Sequence, residues 1–368
     1  MARPQVRENK RSFADLDGWA EEDHGSALAA FAALAQSKKS IPSSRALGID
    51  GGTLAELARQ AASLDLNDGS VARAFFETRF EPVEYTADDA EHVPFAGLLT
   101  GYFEPEVKAS RTKTADFPVP IYRRPDDLID LDDNNRPQTL PKDYRFGRLL
   151  DGEIVPYFDR RQINDGALDH LDLELAYVSD LTTAFFVHVQ GAGRLIFDDG
   201  TTQRITFAAK AGHPYTSLGA VLCDMLEMSR EDMTADCLAD WMRSNPDRLK
   251  EFLAHNRSYI FFEEENQSRA DQGPVAAAKL PLIAGRSMAV DRTLHTFGTP
   301  IWVATQQPLP DESTPLRRLM MAHDTGSIIQ GVQRGDYFAG SGAGAGSVAG
   351  RMIHACSMVV LKPRLCGG

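Results

Sequence analysis

Three carboxylates stand apart from the other acids of this chain by what surrounds them. Asp291 follows the apolar run Met288-Ala289-Val290, and Asp324 ends a stretch that contains Leu319-Met320-Met321-Ala322 and opens Asp324-Thr325-Gly326. Asp336 follows Gly331 and Gly335 and precedes Tyr337 and Phe338. An acid placed where an apolar strand gives way to glycine is often a turn-former, its side chain bonded to nearby backbone. The chemical reading is different. The three acids fall within 46 residues on successive strand ends, which favours their convergence on one site. A carboxyl partly buried among aromatics has a raised pKa and keeps its proton near neutrality, as a general acid must.

Other chemistries find less support. His188, His323 and His354 have no partner at ligand spacing, and the HExxH pattern of a zinc hydrolase is absent. A Ser-His-Asp triad would want a G-x-S-x-G elbow, which the chain lacks. Gly191-Ala192-Gly193 alone is weak evidence for phosphate binding, and the glycines of 340–350 lack the lysine and following helix of a P-loop. The four cysteines fall in two local pairs, Cys223 with Cys237 and Cys356 with Cys366. That spacing fits two short disulfides of an oxidising compartment as well as it fits four free thiols.

The elements that must position these residues follow from periodicity. Residues 13–80 read as helical: 19–35 is alanine-rich, and Leu54, Leu57, Ala61 and Leu64 repeat at helical spacing. Asn67-Asp68-Gly69 is a turn, with another helix expected over 71–80. From 95 to 206 the runs become short and β-like, as at 95–103, 184–190, 194–197 and 204–207, with Asp199-Gly200 as a hairpin turn between the last two. The Asp- and Asn-rich stretch 125–143 reads as an exposed loop. Helices return over 217–253, with Ser217 and Asp236 as candidate caps. A small, polar loop is expected over 267–278; the β pattern resumes over 280–361, and the Gly, Ala and Ser of 335–350 read as a flexible tract. Two β-rich regions separated by helices suggest a discontinuous barrel with a second domain inserted into it.

The totals bound the function. A chain of 368 residues, 43% hydrophobic and 25% charged, can bury a sizeable core. Its net charge of −13 argues against a nucleic-acid partner and gives no electrostatic attraction to anionic lipid. It leaves carbohydrate open, because sugars are held by hydrogen bonds and stacking. No run approaches the length of a membrane span. Residues 1–12 lack the apolar core of a signal peptide, so an envelope location implies a signal removed from this chain.

Four stretches carry a resemblance. Residues 97–105, GLLTGYFEP, look like a TGYxEP signature, and Pro120-Ile121-Tyr122 and Arg124-Pro125-Asp126-Asp127-Leu128 follow it. Residues 185–194, FFVHVQGAGR, resemble an FFxQxQGSGR segment, with His188 where Gln is commoner and Ala192 in place of Ser. Residues 256–262, NRSYIFF, match NxSYVFF, and 287–300 with 323–340 resemble a three-aspartate module. Together these resemble the membrane-bound lytic murein transglycosylase A family over about residues 15–363.

The resemblance implies a mainly β fold with flanking helices: a discontinuous double-psi β-barrel, an inserted β-rich domain, and a glycan groove between them. Residues 1–94 would form a helical region packing on the barrel. Residues 95–105 and 214–368 would form the barrel domain, its three-aspartate module at 280–363, and 106–213 the insert. Asp336 is implied as the only acid/base, Asp324 as its supporting neighbour, and Asp291 as a third, structural member. Thr100, Tyr102, Gln190, Gly191 and Gly193 are the expected substrate contacts; the resemblance implies no metal or cofactor.

A single acid suffices for this chemistry because the nucleophile belongs to the substrate. The acid protonates the oxygen between N-acetylmuramic acid and N-acetylglucosamine, and the muramyl C6 hydroxyl closes a 1,6-anhydro ring. The expected partner is the peptidoglycan glycan strand and the expected place the periplasm, with peripheral or lipid-anchored association with the outer membrane. Two rivals remain: a non-catalytic peptidoglycan-binding barrel, and a hydrolytic glycosidase, which would need a second carboxyl.

Overall fold

The computed structural model describes residues 6–37, 41, 43–44, 46–87, 95–142, 144–265, 272–310 and 312–364. The chain divides into two compact units, one of Met1–Phe103 with Ser268–Gly368 and one of Glu104–Gln267.

In the first unit the helices form much where their periodicity places them. His24–Ala32, Gly51–Ala62 and Gly69–Arg79 each begin after an aspartate, Asp23, Asp50 or Asp68, whose carboxylate accepts free backbone N–H groups of the first turn. Their apolar faces meet in a cluster of Phe31, Phe75, Phe76 and Phe80. Burial of each ring contributes about 2 kcal/mol relative to exposure. Trp19 stands edge-on to Trp302 of the Pro300–Pro308 strand, with centroids 5.3 Å apart, so helices and barrel share one core. Arg286, itself buried, adds polar stitches between the two, donating to Glu22 (2.6 Å), Ser26 and the carbonyls of Asp23 and Leu319.

Eight strands run in the order Val6–Lys10, Phe80–Ala87, Ile353–Pro363, Pro300–Pro308, Pro315–Asp324, Ser287–Val290, Arg334–Ser341, Gly97–Glu104. Ile353–Pro363 also pairs with Gly97–Glu104, which closes the last six into the discontinuous double-psi β-barrel. The expected barrel membership of 95–103 is therefore realised by hydrogen bonds to a strand some 250 residues later, in the register Thr100↔Ile353. Alternation sorts the side chains. Gly335 lies against Met288, Met358 and Leu99, where a Cβ would come within 2.5 Å of two methionine atoms. Arg334 and Asp336 therefore point to the opposite face of that strand.

The tract 335–350 is not a flexible loop. Arg334–Ser341 is a strand and Gly342–Ala349 a helix. The small residues allow close packing rather than looseness: a Cβ on Gly101 would lie 2.9 Å from Ala349 Cα, and one on Gly346 2.8 Å from the Phe103 ring.

The second unit holds a six-stranded sheet in the order Ile260–Glu265, Thr202–Lys210, Ala192–Phe197, Glu106–Ser110, Glu174–Val178, Val119–Tyr122. The hairpin at Asp199-Gly200 forms as expected, with Gly200 at φ +78°. Glu104, fully buried, accepts from Arg204 (2.5 and 3.1 Å) and Arg194 (3.3 Å).

Several expectations are corrected here. Residues 184–190, read as a strand, belong to the helix Leu181–Gln190, which Asp180 caps and Gly191 ends at φ +71°. Its aromatic and β-branched residues suggest a strand, but the cap and the C-terminal glycine decide the conformation. The stretch 125–143 is not all exposed loop: Leu128–Asp130 joins Phe146–Leu150 and Glu153–Val155 in a small sheet, and Leu131, Leu140 and Tyr144 are buried. Thr234, not Asp236, caps Ala235–Ser244. The helices over 217–253 fall in the Glu104–Gln267 unit, where Leu222, Leu238, Met242 and Phe252 pack with Phe185, so the inserted unit extends past residue 213. Cys223, Cys237 and Cys356 are free thiols, and Cys366 lies outside the described residues.

Candidate active site

Asp324 and Asp336 are brought together by strand register. Ser287–Val290 lies between Pro315–Asp324, parallel to it, and Arg334–Ser341, antiparallel. Ala289 is paired with Asp324 on one side and with Asp336 on the other, so the two acids stand in one row across a single strand. Gly97–Glu104 is the next strand in the order and presents Leu98, Thr100 and Tyr102 on alternate positions.

The hydroxyl of Thr100 donates to Oδ1 of Asp336 at 2.5 Å. Arg334, two residues before Asp336 and so on the same face, donates from Nη2 to the same Thr100 oxygen at 2.7 Å. Its Nη1 donates to the carbonyls of Gly335 and Leu98. Tyr102 reaches past the neighbouring strand, its ring 5.3 Å from that of Phe338, and donates to Oδ2 of Asp324 at 3.0 Å. Oδ1 of Asp324 accepts the backbone N–H of Ala277 at 3.1 Å. That N–H comes from a segment that docks on the strand end through Ala278 N–H to His323 O at 3.0 Å.

Crowding by protein raises the pKa of both acids. For Asp336 burial dominates; the Thr100 bond and the Arg334 charge oppose it, and Asp324 adds to it. For Asp324 burial again dominates, against the N–H groups of Ala277 and Thr325, the Tyr102 hydroxyl and the Lys279 charge. Asp336 still keeps a water-accessible face, which a proton donor to a large substrate requires. Burial and the two acids push the Tyr102 phenol up, so it stays a donor. His323, fully buried and bonded through Nδ1 to Ser287 (2.9 Å), is pushed down to about 4 by burial and is neutral.

Asp291 sits apart from this pair. Its carboxylate accepts from Thr293 N–H and hydroxyl and, through Oδ2, from Gly331 N–H at 2.9 Å. It therefore pins the loop joining the Asp324 and Asp336 strands, as a turn acid would. Thr100 and Tyr102, expected as sugar contacts, have their hydroxyls engaged by the two acids. Gln190, Gly191 and Gly193 lie in the second unit at a helix-to-strand turn, where Gly191 N–H closes the helix on Val187 O at 3.0 Å. Gly191 is glycine for its positive φ, and Gly193 is buried. Arg334 and the Ala277 N–H were missed from sequence; Arg334 was legible as i−2 to Asp336 on a strand.

The sequence matches the MltA-specific insert domain over residues 98–263 and the 3D domain over 286–362. The membrane-bound lytic murein transglycosylase A of Escherichia coli K12 is 33% identical over 284 residues, 75% of this chain and 67% of that protein. The chain belongs to the membrane-bound lytic murein transglycosylase A family. A crystal structure of a membrane-bound lytic murein transglycosylase from Agrobacterium tumefaciens matches at TM-score 0.88 and 39% identity, covering 97% of this chain and 98% of that one. The structure of Escherichia coli MltA with bound chitohexaose matches at TM-score 0.61 and 26% identity, over 86% and 82% of the two chains.

Proposed function

We propose that this chain is a lytic transglycosylase that cleaves the β-1,4 bond between N-acetylmuramic acid and N-acetylglucosamine of peptidoglycan, with Asp336 as its single acid/base. The observation that carries the reading is the Asp336 carboxyl: raised in pKa, partly open to water, and bonded to a donor at Oδ1. Protonated Asp336 gives its proton to the glycosidic oxygen as the C1–O bond breaks. The C6 hydroxyl oxygen of the same muramyl residue bonds to C1, and its proton passes to the Asp336 carboxylate, which is restored. Closure within one sugar has an entropic advantage over attack by a free water.

A hydrolytic route needs a second carboxylate free to activate water. Asp324 is the neighbouring acid, fixed by hydrogen bonds from Tyr102 and Ala277 to its two oxygens, and in this reading its part is to raise the pKa of Asp336. The glycan chemistry of the chitohexaose bound by the Escherichia coli relative fits a β-1,4-linked amino-sugar strand as ligand here. Such a substrate implies a location in the cell envelope, and the reading includes peripheral or lipid-anchored association with the outer membrane. That association is supported by the words "membrane-bound" in the names of the relatives.

Digestion of purified sacculi in ¹⁸O-water tests the reaction. Anhydro-muramyl ends carry no solvent oxygen and are one water lighter than reducing ends. Reducing ends labelled with ¹⁸O would assign a hydrolase, and no released fragments would assign a binding protein.

A further inference from the structure

The Thr100 hydroxyl lies between two groups of opposite character. Arg334 has only donors, so its Nη2 contact must fall on a lone pair of Thr100 Oγ1. Among the described residues the only other partner at hydrogen-bond distance of that oxygen is Asp336 Oδ1. The hydroxyl proton therefore points at Oδ1. We propose that Arg334 is a positioning residue for the catalytic acid: through Thr100 it commits Oδ1 of Asp336 to accepting a hydrogen bond and leaves Oδ2 to carry the reacting proton. This inference rests on Asp336 as the acid.

The direction of the relay suits the reaction. Before transfer Asp336 is neutral and its Oδ1 is a carbonyl oxygen; after transfer it is a carboxylate. A donor backed by a guanidinium bonds the second form more strongly than the first, so the relay strengthens as charge develops on the acid. It also opposes the burial that raises the Asp336 pKa.

The charged and titratable groups facing the acid are few. Arg334 lies on its own strand, Tyr102 on the Gly97–Glu104 strand and Asp324 at the end of Pro315–Asp324, with Lys279 acting on Asp324 from the 274–281 segment. Ala289, the pairing residue between the acids, carries no charge. Cys356 faces Arg334, but burial pushes its thiol up to about 12 and keeps it neutral.

The test is the pH–rate profile for release of anhydro-muramyl products by Arg334→Gln, Arg334→Lys, Thr100→Val and Thr100→Ser, with Asp336→Asn beside them. Thr100→Val and Arg334→Gln each remove an influence that lowers the Asp336 pKa. Their loss of rate with rising pH should move up by about one pH unit. Rate at the optimum should fall by up to about a hundredfold as the proton loses its fixed position. Thr100→Ser should restore the wild-type profile. At the optimum the Thr100→Val, Arg334→Gln double variant should be no slower than Thr100→Val, because both cut one relay, while its alkaline limb should move further up, because the Arg334 charge also acts on Asp336 directly. Arg334→Lys keeps the charge and should keep most of the profile while losing rate, which serves should Arg334→Gln fail to fold. An unmoved profile in folded Thr100→Val, or additive losses of optimum rate in the double variant, overturns the relay. Activity in Asp336→Asn would overturn the acid assignment itself, and the relay with it.

Discussion

Removing the charge of Asp324 should make Asp336 a stronger acid, and the size of the effect follows from the register. Both acids flank Ala289 across two strand-to-strand steps. At about 4.8 Å per step their backbones are roughly 10 Å apart. Two unit charges at that distance interact by roughly 1.7 kcal/mol at an effective dielectric of about 20, which is about one pH unit. Asp324→Asn keeps the shape, and the Tyr102 hydroxyl can turn to accept from the new amide while the amide oxygen keeps the Ala277 N–H. With the like charge gone, the Asp336 pKa falls. Rate is lost as pH rises through that pKa, so the alkaline limb should move down by about one unit, opposite in sign to Arg334→Gln. The assay is product release from sacculi between pH 4 and 8, with thermal melts to confirm folding. An unmoved limb, or one moved upward, would refute the electrostatic role of Asp324.

Other outcomes follow from the same contacts. Asp336→Asn should melt at or above wild type near neutrality: a native pKa raised above the unfolded value of 3.8 means that ionisation weakens the fold. That advantage is full above the native pKa and should vanish below the unfolded one, as melts at several pH values would read. Asp291→Ala frees Gly331 N–H and should lower the melting temperature and the rate without moving either pH limb, since its bonds are to a loop. Gly101→Ala should destabilise by about 1–3 kcal/mol in denaturant titration, because the new Cβ would lie 2.9 Å from the Ala349 backbone. Phe31→Ala, at a fully buried ring, should cost about 3–5 kcal/mol and abolish the shared transition of helices and barrel.

The three acids stood out in the sequence because Asp291 and Asp324 each follow an apolar run and Asp336 stands between Gly335 and two aromatics, and the helices of 13–80 were legible because their apolar spacing is regular. Leu181–Gln190 was not, because Phe, Val and Thr dominate it and only Asp180 and Gly191 mark it as helical. The 335–350 tract misled for a related reason. Glycine signals freedom in a single sequence, whereas here it permits a helix to close on Gly101 and Phe103. The roles of Thr100 and Tyr102 depended on long-range register, which joins residues 236 and 222 positions apart and leaves no local trace. Arg334 was within reach through its i, i+2 relation to Asp336 once that segment was read as a strand.

The most direct test of the account is the rate at which well-folded Asp336→Asn releases anhydro-muramyl products from purified sacculi. The amide keeps the shape and can donate a hydrogen bond, but it cannot transfer a proton. General acid–base catalysis is worth about 10²–10⁴-fold, and with one group serving both steps the loss should lie at or beyond the top of that range, glycan binding being retained. Release at near the wild-type rate would contradict the assignment and make Asp324 the next candidate for the acid.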